Sequence, residues 1–162
     1  MILDNALTLV SPNITTRTSD GTGAGQYNSD DQIDLSARRD IAEGHPIKAI
    51  LHIPVTFGGG AGSSINVTLW SADDTALTNA TFYQGFNNLT KDSGALDGGK
   101  TYEITLNPPS QVAGTTLRRF LFMRVNAIGA ANNFTGTNIV RLHLLLDTQD
   151  GRTFYTSGFS IA

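Results

Sequence analysis

The sequence predicts an all-β protein, an antiparallel sandwich or barrel of about eight short strands. Three observations point there. Apolar residues recur at every second position in several short runs. Gly, Pro, Asn and Asp punctuate the gaps between those runs, and no stretch carries an amphipathic-helix period. The charged share is only 15%, while seventeen glycines and abundant Thr, Asn and Ser favour pleated surfaces and turns.

Taken in chain order, residues 2–10 form the first strand candidate. The polar stretch SPNITTRTSDGTGAGQYNSDDQ (11–32) follows, and too little of it is apolar to bury itself. It reads as a long arm or loop, mobile or ordered by a partner. In IKAILHIPVTF (47–57), Ile47, Ala49, Leu51, Ile53, Val55 and Phe57 share one face. Pro54 cannot donate to a ladder, so an edge or a bulge is expected there. GGGAGSS connects to INVTLW (65–70), and SADDTALTN forms a turn region before the weaker candidate ATFYQGF (80–86). KTYEITL (100–106) resumes the alternation after the turn SGALDGG. The loop NPPSQVAGTT leads to LRRFLFMRVNAI (117–128), with Leu117, Leu121, Met123 and Val125 on one face and Phe120 and Phe122 on the other. GAANNFTGTN leads to IVRLHLLLD (139–147), and RTFYTSGFSIA closes the chain. A count of eight suits a jelly roll, although count alone does not separate it from an immunoglobulin-like sandwich. With 162 residues, one domain spanning 1–162 is expected.

The charge balance and residue inventory narrow the function classes. A net charge of −3 gives no electrostatic case for nucleic acid. There is no cysteine, which removes disulfides and thiolate metal sites. The opening MILDNALTLV has no basic leader, and no apolar run nears the roughly 18 residues of a membrane span. A soluble, cytosol-made protein with no membrane partner is the expectation. The three histidines, His45, His52 and His143, lie far apart without HExxH or HxH spacing. His52 and His143 alternate opposite the apolar faces of their strands and read as solvent-facing. Carboxylates cluster in turns, as in Asp73–Asp74, where they make local backbone hydrogen bonds. The loop SDGTGAGQYNSDD lacks the ordered ligand spacing of a calcium site. GGGAGSS lacks the Gly-Lys-Ser/Thr ending of a phosphate loop. Neither a nucleophile elbow nor a serine triad is visible. No catalytic residue, metal ligand or cofactor site is assigned, and the chain is not expected to be an enzyme. Five Asn-x-Thr sequons fit chance in a chain so rich in both residues.

Two stretches stand out as contact candidates. DLSARRDIAEGHPIKAILHI (34–53) crowds Arg38, Arg39, Asp40, Glu43 and His45 into the approach to a strand. Gly44 and Pro46 make EGHP a turn, and the charges serve either to brace it or to meet a partner. In LRRFLFMR, Arg118, Phe120, Phe122 and Arg124 share one face, a mixture enriched at protein interfaces. Burial inside the fold is the competing reading of those two phenylalanines. Trp70 falls opposite Ile65, Val67 and Leu69, so it is either exposed or packed against a second layer.

Four pieces, in order along the chain, resemble one family. The opening MILDNALTL, the block IDLSARRDIAEGHPIKAILHI, the strand LRRFLFMRVNA and the ending YTSGFSIA resemble the capsid cement, or decoration, proteins of tailed bacteriophages. The resemblance is to the Bordetella-phage-like group of short-tailed phages. His45 departs from the family pattern, which has an acid before the proline; the stretches 11–32 and 130–138 are longer. The resemblance implies a jelly roll on the outer surface of an icosahedral virion head, made in the bacterial host cytoplasm. There it would clamp neighbouring subunits of its partner, the major capsid protein. It also implies homo-oligomers, dimers before trimers, and no catalysis. Two other classes compete. A carbohydrate-binding jelly-roll module for host attachment would need Trp70, Tyr83 or Phe86 as platforms. A cupin-like metal enzyme would need clustered histidines and a glutamate, which the sequence scarcely offers.

Overall fold

Alternation decides which side of each strand faces inward, and the two inward sides meet. The structure, a computed structural model, describes residues 8–14, 25–35, 47–60, 62–86, 88–106, 118–128 and 134–145. Its strands are β1 (Thr8–Val10), β2 (Gly25–Asn28), β3 (Ile33–Asp34), β4 (Ile47–His52) and β5 (Ser64–Ala72). They continue with β6 (Thr81–Gly85), β7 (Leu89–Thr90), β8 (Thr101–Leu106), β9 (Phe120–Ile128) and β10 (Arg141–Leu145). A four-stranded sheet runs β1-β10-β4-β8, and a six-stranded sheet runs β2-β9-β5-β6, with β3 also beside β9 and β7 beside β5. Every pairing is antiparallel. The chain crosses between sheets at each long connection.

The core lies between the two sheets. Leu9, Ala49, Leu51, Leu142 and Leu144 come from the four-stranded sheet, and Ile65, Val67, Leu69, Met123 and Val125 from the six-stranded one. These residues form one buried cluster, as expected where inner faces interdigitate in a sandwich. The β5–β9 pairing runs in unbroken register from Ser64↔Ile128 to Ala72↔Phe120 and forms the spine of the larger sheet.

The sequence expectation for 11–32 needs correction at its two ends; residues 15–24 lie outside the described residues. Gly25–Asn28 is a strand paired with β9, and Ile14 is fully buried. Its few apolar side chains, Ile14 and Tyr27, sit too far apart to produce a readable period. Asn138, also fully buried, fastens the nearby backbone. Its Nδ2 donates to the carbonyls of Ile14 (2.8 Å) and Thr135 (3.3 Å). Its Oδ1 accepts from the Gly58 N–H (2.9 Å), and its own N–H donates to Asn13 Oδ1 (2.7 Å). Phe134 packs edge-on against Phe57, ring centroids 5.5 Å apart.

Two other expectations change. Pro54 marks neither an edge nor a bulge: β4 stops at His52, before it, and lies inside its sheet between β10 and β8. His143 does not face solvent. It is 8% exposed, and its Nδ1 lies 2.9 Å from Thr8 Oγ1 on the neighbouring strand, which satisfies the ring nitrogen. Burial lowers its pKa below 6.5, with His52 and Arg141 adding to the effect.

Candidate contact surface

Strand β9 presents Leu121, Met123 and Val125 to the core, which sends Phe122 and Arg124 to the outer face of the six-stranded sheet. Register then sets the neighbours. Trp70 lies opposite Phe122 on one side and Phe82 on the other. The β5–β6 pairing slips between Leu69 and Trp70, so Tyr83 turns into the core while Phe82 stays with Trp70 outside. Trp70 and Phe82 meet edge-to-face at 5.8 Å, and Trp70 and Phe122 lie tilted at 6.4 Å. Phe122 is wholly covered, whereas Phe82 is 45% exposed.

Three arginines serve this strand, and their surroundings differ. Arg118 Nη1 donates to Asp73 Oδ2 (2.5 Å) and its Nε to Thr81 Oγ1 (3.2 Å), tying the start of β9 to the β5–β6 turn. Arg119 grips Asp34 with a two-pronged fork, Nε to Oδ1 and Nη2 to Oδ2, both 2.8 Å. Those bonds hold the Arg119 pKa above its usual value, and the guanidinium also lies 4.8 Å from the Phe120 ring. Arg124 has no carboxylate partner among the described residues. Its guanidinium lies 4.2 Å from the Trp70 ring centre and 5.5 Å from that of Phe122, and Nε donates to Asn28 Oδ1 (2.9 Å). Burial lowers its pKa. A short relay fixes the indole beneath it: Trp70 Nε1–H donates to Thr68 Oγ1 (2.9 Å), whose hydroxyl donates to the Arg124 carbonyl (3.0 Å).

Of the residues singled out in the sequence, Arg118, Phe120, Phe122 and Arg124 therefore gather on or beside one face. Arg38, Arg39, Asp40, Glu43 and His45 lie outside the described residues. Trp70 lies on the outer face, half-buried beneath Arg124. Phe82 and Asn28 complete the surface and carried no signal in the sequence, because a bulge and a strand within a polar stretch place them. Tyr83 and Phe86 are buried, so neither offers a sugar-stacking platform.

Elsewhere, a cleft of 220 Å³ opens where β6 and β8 border the sandwich, lined by Gly85, Phe86, Leu89, Tyr102, Glu103 and Ile104. On the outer face of the four-stranded sheet, Lys48 pairs with Glu103. Among the described residues no three His, Asp or Glu side chains gather where a metal ion would be held. The chain matches no protein-family model and no curated protein.

Proposed function

We propose that this chain is a capsid cement protein of a tailed bacteriophage, bound outside an icosahedral head and clamping neighbouring major capsid subunits. What carries the reading is the in-order resemblance of four segments, from the opening MILDNALTL to the closing YTSGFSIA, to proteins of that kind. Two structural features support it. The strand orders β1-β10-β4-β8 and β2-β9-β5-β6 fit the winding of a jelly roll. The outer face of the larger sheet combines an exposed phenylalanine with an arginine that has no acid partner among the described residues, residue types that concentrate at interface cores. The protein acts by binding, as a homo-oligomer, a dimer before a trimer. Repetition over a shell turns modest contacts into strong attachment.

The carbohydrate-binding alternative loses ground on a specific observation. Two of its three aromatic platforms are buried, and the third, Trp70, has a guanidinium over its ring. The test is to add purified protein to expanded capsids that lack it. Co-sedimentation and a rise in capsid melting temperature are the expected result. Capsids that neither bind the protein nor gain heat resistance would sink the proposal.

A further inference from the structure

The three arginines around β9 differ in one respect. Arg118 and Arg119 each have a carboxylate partner within the chain, Asp73 and Asp34. Arg124 has none among the described residues, although it is half-buried and has lost part of its hydration. Only its Nε is used, by Asn28; among the described residues Nη1 and Nη2 meet no acceptor. The guanidinium is nonetheless held in place, over the Trp70 ring and by the Asn28 bond. Beside it lies Phe82, which is 45% exposed, one of two large apolar side chains so exposed among the described residues.

We infer that Arg124, with Trp70 and Phe82, forms a receptor for an Asp or Glu carboxylate flanked by an apolar side chain on a protein partner. A guanidinium held in place offers two parallel N–H donors to a carboxylate, geometry that a lysine does not reproduce. The carboxylate supplies the countercharge that Arg124 lacks, and the adjoining apolar group covers Phe82 against Trp70. An exposed ring next to a partly desolvated, preoriented cation matches the anchor-plus-charge pattern of binding hot spots. The assignment of that partner as the major capsid protein rests on the function proposed above; the carboxylate chemistry does not.

The chain has a single tryptophan, so its indole N–H resonance and fluorescence report this site alone. The probe is a Glu-Phe dipeptide blocked at both ends, with its Gln-Phe counterpart as the neutral control. The Glu peptide should shift the Trp70 indole resonance saturably and bind at least about tenfold more tightly than the Gln peptide. Arg124→Gln should abolish that preference, Arg124→Lys should retain only part of it, and Arg119→Gln should leave it intact. Equal binding of the two peptides, or an undiminished preference in a folded Arg124→Gln protein, overturns the inference. A saturable shift with a neutral oligosaccharide but none with the Glu peptide also overturns it and assigns the face to glycan. On capsids, folded Arg124→Gln should bind at least about tenfold more weakly than the native chain. Equal capsid binding overturns the site as the shell contact. If the native chain itself fails to bind capsids, the proposed function falls, and the peptide titration alone decides the carboxylate receptor.

Discussion

Replacing Asn138 by alanine should destabilise the fold more than any other single surface-distant polar change here, because of what the side chain leaves behind. Its loss orphans the Ile14 carbonyl, which is buried, and the Gly58 N–H, which is half-buried. An unpaired buried donor or acceptor costs about 1–3 kcal/mol. The Gly58 amide is reached by water more easily, so the two together come to about 3 kcal/mol. For a chain of this length, that corresponds to a melting temperature about 6–12 °C lower. The chemistry is sharper in Asn138→Asp. The carboxylate keeps the acceptor for Gly58 but sets a buried negative charge against the carbonyls of Ile14 and Thr135. This variant should be the less stable of the two at neutral pH and recover in acid, where a protonated oxygen donates to Ile14. Urea unfolding followed by Trp70 fluorescence gives the free energies, and amide exchange at Gly58 gives the local effect. A loss below about 1 kcal/mol in the alanine variant, with Gly58 exchange unchanged, would refute the assignment of Asn138 as a staple.

The remaining predictions concern packing, pH and charge. A Cβ at Gly58 would lie 2.1 Å from the Thr135 carbonyl oxygen, a backbone atom, so Gly58→Ala should cost about 1–3 kcal/mol in urea unfolding; a loss too small to measure would mean that the two segments separate freely. His143 has a folded pKa below its ordinary 6.5, so the folded state takes up its proton later than the unfolded chain. Its contribution is therefore complete above 6.5 and declines as the pH falls from 6.5 toward the lower folded value; His143→Gln should flatten that limb of the stability curve, and an equal slope in both proteins would contradict it. Arg118→Ala, which removes a shielded ion pair and a bond to Thr81, should cost about 1–2 kcal/mol by thermal unfolding. Arg119→Ala should leave the melting temperature nearly unchanged, since its pair with Asp34 is solvent-exposed; the reverse order would be wrong for this geometry. Arg124→Met keeps a flexible stem over Trp70 and removes a cation with no carboxylate partner among the described residues, so its stability should stay within about 1 kcal/mol of the native chain, and a larger loss would show that the cation itself holds the sheet.

The sequence was most informative where a strand buries one face and least where distant residues decide. Period-2 patterns located β5, β8 and β9, because Ile65, Val67 and Leu69, or Leu121, Met123 and Val125, report the buried side directly. The shared face of Arg118, Phe120, Phe122 and Arg124 followed from the same arithmetic. Which arginine is paired did not follow, because Asp73 and Asp34 lie 45 and 85 residues away and turns bring them close. β2 escaped notice because its pairing with β9 depends on backbone hydrogen bonds, which Gly25–Asn28 makes without an apolar signature. His143 looked exposed by alternation, yet Thr8, 135 residues earlier, supplies a partner that makes its burial tolerable. Asn138 ended a run that read as loop, and nothing local marks a loop asparagine as a buried one.

The position of Arg124 in a strand paired on both edges has a consequence for binding. β9 shares nine register pairs with β5 on one side and pairs with β2 and β3 on the other. Its inner face is locked into the core by Leu121, Met123 and Val125. A strand so held cannot shift without breaking both ladders, so its outward side chains are displayed at fixed spacing. Ordering a long, rotamer-rich side chain on binding ordinarily costs about 0.5–1.5 kcal/mol. Here the indole and the Asn28 bond have already removed much of that freedom from Arg124, and the relay through Thr68 has done the same for Trp70. A single carboxylate clamp remains a weak site even when preorganised. Weakness at one site is compatible with a cement function, because a homo-oligomer that engages several neighbouring subunits raises the effective concentration for each further contact. Rigid presentation then matters more than the strength of any one contact, since avidity is gained only if all copies of the clamp reach their partners together.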